Sequence, residues 1–209
     1  MPIDYKKTSS LLYQRDQYRK GGIGRWYWDW RDKKILDFIK KKHQDILDIG
    51  CGEGITLEKL VNKYKDKNIL GVDVIVENVD ICKKYNLPVV LGDVYGLKIK
   101  EESIDLCILS EVIEHLDNVG LALENIKRIL RPGGDLIIVF PNDTFFKIAR
   151  ILFLKFKEAF ADYGHINHFS PWSIEKILSR AGFEIIKIKN TPFGFWILSL
   201  HCLVLARKK

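Results

Sequence analysis

The stretch Asp45 to Gly54, DILDIGCGEG, narrows the fold more than any other part of the chain. Asp45, Ile46, Leu47, Asp48 and Ile49 form a short, mostly apolar run, the pattern of a strand buried in a parallel sheet. Gly50, Gly52 and Gly54 follow at alternate positions, and Ile55, Leu57, Leu60 and Val61 then recur at helical spacing. A strand, a glycine turn and a helix start leave a crevice where backbone meets a ligand with no Cβ in the way. The stretch is therefore expected to hold a cofactor. A dinucleotide fingerprint needs its third glycine three positions after the second, where this chain has Ile55. Glu53 also disfavours a pyrophosphate, which prefers donors and positive charge at a helix N-terminus. A cationic ligand with an amino acid moiety suits the turn better.

At 209 residues, 47% hydrophobic and 29% charged, the chain is expected to be one globular α/β domain with a small appendage. No apolar run reaches the ~18 residues that a membrane span requires. The opening MPIDYKKTSS lacks the apolar core of a secretory signal. Cys51, Cys82, Cys107 and Cys202 form no CxxC pair, so neither a zinc site nor a disulfide framework is expected. A cytoplasmic location follows, with a membrane-peripheral one as the variant. A net charge of +7 permits binding to nucleic acid or an anionic membrane, but lysines spread over most expected helices are more simply a solvated face.

Ahead of the first strand, residues 1–30 read as an aromatic flap, with Tyr13, Tyr18, Trp26, Tyr27, Trp28 and Trp30 around Gly21, Gly22 and Gly24. Such rings either pack on the domain or cover a substrate. A helix is expected from Arg31 to Lys41, strands at Asn68–Asp73, Pro88–Leu91, Ile104–Leu109 and Leu136–Phe140, and helices at Glu77–Tyr85 and about Gly120–Leu130. Arg131-Pro132-Gly133-Gly134 is the stop signal of the last of these. Residues 143–160 are apolar around most of their girth, with Lys147, Arg150, Lys155 and Lys157 interleaved. They read as a lid helix, or as a surface for a bilayer or lipophilic substrate. Ser170-Pro171 starts a helix that Gly182 ends, and Glu184–Lys189 and Trp196–Ala206 read as two final strands.

The glycine turn resembles motif I of the class I S-adenosylmethionine-dependent methyltransferases. The succession IDLCIL, EHL, LRPGG and LIIVFPN resembles the second half of the same domain, over roughly residues 30 to 190. The resemblance implies a Rossmann-like seven-stranded mixed sheet, mostly parallel with one antiparallel strand, helices on both faces and a small helical cap at about 143–169. It implies a cofactor set of Asp48, Gly50, Cys51, Gly52, Gly54, Asp73, Val74, Gly92, Asp93, Val94, Ser110 and Glu111. Asp73 would hold the ribose hydroxyls, against the alternative of a helix cap. Asp93 would meet the adenine amino group and Val94 its ring, against the alternative of a simple turn.

Methyl transfer from a sulfonium is an in-line displacement, so the enzyme chiefly aligns donor and acceptor. An oxygen or nitrogen acceptor must also lose a proton, to a base or with help from a metal. Glu111-x-x-Glu114-His115 stands just beyond a central strand, and His165 and His168 lie on a later loop. His115, His165 and His168 are the candidate catalytic residues, and Glu111, Glu114, His115 and His165 the candidate ligands for Mg²⁺ or Mn²⁺. This set is similar to two metal-using branches, the small-RNA 3′-terminal 2′-O-methyltransferases and the ubiquinone-biosynthesis O-methyltransferases with their ExxEH element. The apolar insertion favours the second branch, hence O-methylation of a small, lipophilic acceptor rather than of RNA. A non-catalytic cofactor-binding subunit is the remaining alternative.

Overall fold

The computed structural model describes residues 14–145 and 165–209. Its core is a seven-stranded sheet in the order β3-β2-β1-β4-β5-β7-β6. β1 (Asp45–Ile49) lies centrally, parallel to β2 (Asn68–Asp73) and β4 (Ile104–Ser110). β3 (Val89–Leu91) extends the β2 side, and β5 (Leu130–Pro141) the β4 side, both in parallel. β7 (His201–Lys208) pairs antiparallel with both β5 and β6 (Phe183–Thr191), so it alone runs against the other six. The expected mixed sheet is the one formed.

Side chains of successive strand residues point to opposite faces, and the sheet uses both. Leu47, Leu109, Ile138 and Phe140 pack on one face with Leu123 and Ile126 of α5 (Val119–Ile129) and Ile174 and Leu178 of α6 (Pro171–Arg180). Ile46, Ile108, Ile137 and Val139 pack on the other. Their partners there are Ile35 of α2 (Gly22–Leu36), Leu57 and Leu60 of α3 (Ile55–Lys63) and Cys82 of α4 (Val76–Lys84). Two buried faces explain why the central strands read as continuous apolar runs.

Three expectations need correction. The helix placed at Arg31–Lys41 instead spans Gly22 to Leu36 as α2. The glycines at 21 and 22, with φ of 75° and 73°, only separate it from α1 (Gln14–Lys20). The aromatic stretch is thus helical over its described residues. The final segment Trp196–Ala206 is not one strand: Trp196–Leu198 is a 3-10 turn, and β7 begins at His201. β5 starts at Leu130 rather than Leu136, because Leu130 already pairs with Ile104 before an irregularity in register. Most of the 143–160 segment lies outside the described residues. Among those described, no helix is long and apolar enough to cross a membrane.

At the end of the sheet away from the glycine turn, Asp135 of β5 is fully buried. It accepts from His43 Nε2 (2.9 Å), Lys42 Nζ (2.8 Å) and Arg207 Nε (2.8 Å). The cluster ties the segment before β1 to both β5 and β7.

Candidate active site

The carboxyl ends of β1 and β4 and the segment before β7 open onto one cavity of about 540 Å³. Gly50, Cys51 and Gly52 form part of its wall. Gly50 has φ of 69°, and a Cβ there would stand 2.4 Å from Val112 Cγ2. Gly54 caps α3 with φ of 78°, where a Cβ would stand 2.7 Å from Cys82 Sγ. A side chain at either position would push the turn out of shape. Asp73 holds the turn in place: its Oδ2 accepts from Gly52 N (2.7 Å), and its Oδ1 from Ile75 N (2.9 Å) and Asn78 Nδ2 (3.2 Å).

Buried oxygens without a hydrogen-bond partner concentrate in this cavity. Among the described residues these include Asp48 Oδ2, Ser110 Oγ, Glu111 Oε1 and both carboxylate oxygens of Glu114, all from lining residues. An unpaired buried acceptor costs about 1–3 kcal/mol, more when charged, so a cationic or donor-rich ligand would relieve the site. Burial, then the Asp32 and Asp73 carboxylates, pushes Asp48 up to about 8. Burial and then Glu111 push Glu114 well above the usual carboxylate range. These observations fit a cofactor bearing a sulfonium and an ammonium, and they fit a metal beside Glu114.

Glu114, His115 and His165 each offer a ligand atom, and these atoms lie within 4.8 Å of one another. The backbone brings them together: the Glu114 carbonyl accepts from Ile166 N and Asn167 N, both at 3.0 Å, which clamps the later loop against the end of β4. Asp143 orients the loop, its oxygens 2.7 Å from Nδ1 of His165 and of His168. A carboxylate behind a histidine is the usual support of a metal-ligating imidazole.

Glu111, expected as a fourth ligand, lines the same cavity but is not one of these three. Its backbone sits at φ of 59°, a left-handed conformation uncommon outside glycine. Its carboxylate meets His201 Nε2 at 3.1 Å, with Arg31 Nη1 3.9 Å from the other oxygen. Against burial, which would raise it, His201 and Arg31 hold Glu111 below its ordinary value. His201 Nδ1 lies 2.6 Å from Tyr27 Oη. His168, expected as a candidate catalytic residue, is mostly exposed and is not among the residues lining the cavity.

Of the expected cofactor residues, Asp48, Gly50, Cys51, Gly52, Ser110 and Glu111 line the cavity. Gly54, Asp73, Val74, Gly92, Asp93 and Val94 lie outside its lining, at the start of α3 and the carboxyl ends of β2 and β3. Asp93 caps its own turn by accepting from Tyr95 N (3.0 Å). Sequence reasoning missed Gln14, Arg31, Asp143 and His201, which line the cavity, and Tyr27 stood there only as one aromatic among six. Glu53 does not address the ligand. Its carboxylate accepts from Gln14 N (3.0 Å) and Arg15 N (2.6 Å), capping α1 over the glycine turn.

Comparison with known proteins agrees with this geometry. Residues 27–188 match the family model described as a methyltransferase domain. The chain belongs to this family, the class I S-adenosylmethionine-dependent methyltransferases, whose cofactor is S-adenosylmethionine. It is 28% identical over 171 residues to the mitochondrial ubiquinone biosynthesis O-methyltransferase of Rattus norvegicus, covering 72% of this chain and 48% of that protein. It is 31% identical over 167 residues to a tRNA (carboxymethyluridine(34)-5-O)-methyltransferase of Mus musculus, covering 77% of this chain and 23% of that protein. The chain thus spans less than half the length of these relatives. A methyltransferase structure from Archaeoglobus fulgidus superposes with a TM-score of 0.73 at 19% identity, covering 96% of this chain and all of that one. That likeness is one of fold.

Proposed function

We propose that the domain transfers the methyl group of S-adenosylmethionine to an oxygen of a small, lipophilic acceptor. The observation that carries this reading is the group of Glu114, His115 and His165 in the cavity that the glycine turn also lines. The cofactor supplies an activated methyl on a sulfonium, so the acceptor oxygen needs alignment and loss of a proton. With no cation at the site, Glu114, raised above its ordinary value, takes that proton. A divalent cation held by the same three residues would lower the acceptor's own pKa. Asp143 fixes the His165 ring at Nδ1, and Tyr27 and Ile23 of α2 line the same cavity.

The rim supports an apolar acceptor. Ile23 lines the cavity yet is 85% exposed, and Leu200 lines it as well. An exposed apolar side chain in a cavity wall suits an apolar ligand.

Three outcomes test the reading. With S-adenosylmethionine and hydroxylated rings carrying alkyl tails of increasing length, methylation is expected to rise with the tail. Chelation is expected to suppress it and added Mg²⁺ or Mn²⁺ to restore it. Glu114→Gln should lower kcat by about 10²- to 10⁴-fold, the range of acid–base catalysis, and leave S-adenosylhomocysteine affinity nearly unchanged. Methylation of RNA but of no small acceptor would replace this reading with that of a nucleic-acid enzyme, which the likeness to a tRNA methyltransferase supports. Tight product binding with no turnover on any acceptor would point to a regulatory subunit.

A further inference from the structure

Glu111 keeps a left-handed backbone, at φ of 59°, of the kind a protein retains where function over-determines it. The strained residue stands where β4 ends against the glycine turn, for its neighbour Val112 is what a Cβ at Gly50 would strike. Ser110, Glu111, Glu114 and His115 all line the cavity that Gly50 and Gly52 also line. This stretch therefore runs from the turn that holds the cofactor to the cluster where the methyl group is received. The sulfonium, which lies between the two in an in-line transfer, has to sit beside it.

The carboxylates that line the cavity are Asp48, Glu111, Glu114 and Asp143, and they are unlike. Burial pushes Asp48 up to about 8 and Glu114 well above the usual range, so both carry a proton at neutral pH. Both Asp143 oxygens are engaged by His165 and His168. Glu111 is ionised, because His201 and Arg31 hold it below its ordinary value against burial. Its Oε2 accepts from His201 Nε2 at 3.1 Å, and that ring is pinned in turn by Tyr27, whose Oη lies 2.6 Å from Nδ1. Its Oε1 makes no hydrogen bond among the described residues, and Arg31 Nη1 stands 3.9 Å away. The Arg31 guanidinium is shared with Asp32, which accepts from its Nε at 3.2 Å and Nη2 at 3.0 Å. The Glu111 charge is thus fixed in place and only partly matched. A sulfonium has no N–H to donate, so charge is what recognises it, and charge acts more strongly in a site shielded from water.

We propose that the Glu111 carboxylate is the counter-ion of the cofactor's sulfonium, and that it makes the site prefer the charged methyl donor to the neutral product. In the transfer, an electron pair of the acceptor atom forms the new bond to the methyl carbon as the S–CH3 bond breaks. The pair of the broken bond stays on sulfur, which becomes a neutral thioether, and the acceptor loses its proton. Glu111 then faces no cation, so the spent cofactor is held less tightly and gives way to a fresh one. The interaction stabilises the bound donor and not the displacement itself, so its effect is on binding. His201 and Tyr27 are positioning residues, which act through the carboxylate they orient. The inference rests on the family's cofactor and is independent of the acceptor.

The test is calorimetric titration of three ligands into the full chain, without acceptor and with a chelator present throughout. S-adenosylmethionine carries a sulfonium, sinefungin an ammonium-bearing carbon in its place, and S-adenosylhomocysteine a neutral sulfur. All three share the adenosine and amino acid ends, so their affinity ratios isolate the charge at that one position. The parent is expected to bind both charged ligands at least about tenfold tighter than the neutral one. Glu111→Gln keeps the shape and removes the charge. It is expected to bring both ratios to within about threefold of unity, with S-adenosylhomocysteine affinity nearly unchanged. Tyr27→Phe is expected to lower the ratios part of the way, whereas a loss of fold would weaken all three ligands alike. The parent ratios are read without either variant, so misfolding would not spare the proposal. A parent that prefers neither charged ligand, a preference for S-adenosylmethionine alone, or ratios that survive Glu111→Gln would overturn it.

Discussion

Asp73→Ala is expected to weaken S-adenosylhomocysteine binding at least ~100-fold, a loss of about 2.7 kcal/mol. The Asp73 carboxylate holds Gly52 N, Ile75 N and Asn78 Nδ2. Hydrogen bonds to a charged group are worth about 1.5–3 kcal/mol each, so losing two of them accounts for the effect before any ribose contact is counted. Asp73→Asn keeps one carbonyl acceptor and should fall between the parent and the alanine variant. Calorimetry on the three proteins decides the matter: an alanine variant within about threefold of the parent would mean that Asp73 serves neither the turn nor the nucleoside.

The second large effect lies at the other end of the sheet. Removing Asp135 leaves His43, Lys42 and Arg207 around an empty buried position. Breaking a buried ionic cluster by deleting one partner costs about 3–5 kcal/mol, and Asp135→Ala should shift the denaturant midpoint accordingly. The cluster also sets a pH dependence. Against burial, hydrogen bonds from His43, Arg207 and Lys42 hold Asp135 well below the usual carboxylate range. A depressed folded value means the contribution is complete above the unfolded value of about 3.9 and is lost as pH falls through it toward the folded one. The parent's stability is therefore expected to fall steeply below about pH 4. Asp135→Asn, which cannot titrate, should show a shallower fall. Equal slopes for the two proteins would assign the acid sensitivity to other carboxylates.

The central strands and the turn were legible because their causes are local. Residues 45–54 and 104–110 are buried on both faces, which leaves unbroken apolar runs, and only glycine suits the bend at Gly50. The helix α2 was not legible, since Gly21, Gly22 and Gly24 and its dense aromatics imitate a loop. Its helicity depends on packing Ile35 and Leu36 against the sheet. The site was legible only where the chain itself gathers the residues, as in Glu114-His115. Spacing could not show that Glu111 takes a φ of 59° and that its carboxylate meets His201. His201 stood inside an apolar run, 174 positions from the tyrosine it meets, and no local pattern joins the two. Asp143 was hidden as the first residue of an apolar segment, and its value lies wholly in the two imidazoles it orients.

The place of β7 has a consequence for the order in which the molecule is made. It leaves the ribosome after β6, yet it lies between β5 and β6. Until residues 201–208 emerge, the Leu136–Phe140 edge of β5 has no neighbour on that side and β6 has no strand to pair with. Unpaired apolar edges are what nascent chains must keep from sticking to one another. His201 arrives on that same strand, 3.1 Å from Glu111 in the finished molecule. One wall of the cavity is thus assembled by the very step that seals the sheet, so a chain halted before it carries neither a closed edge nor a complete site.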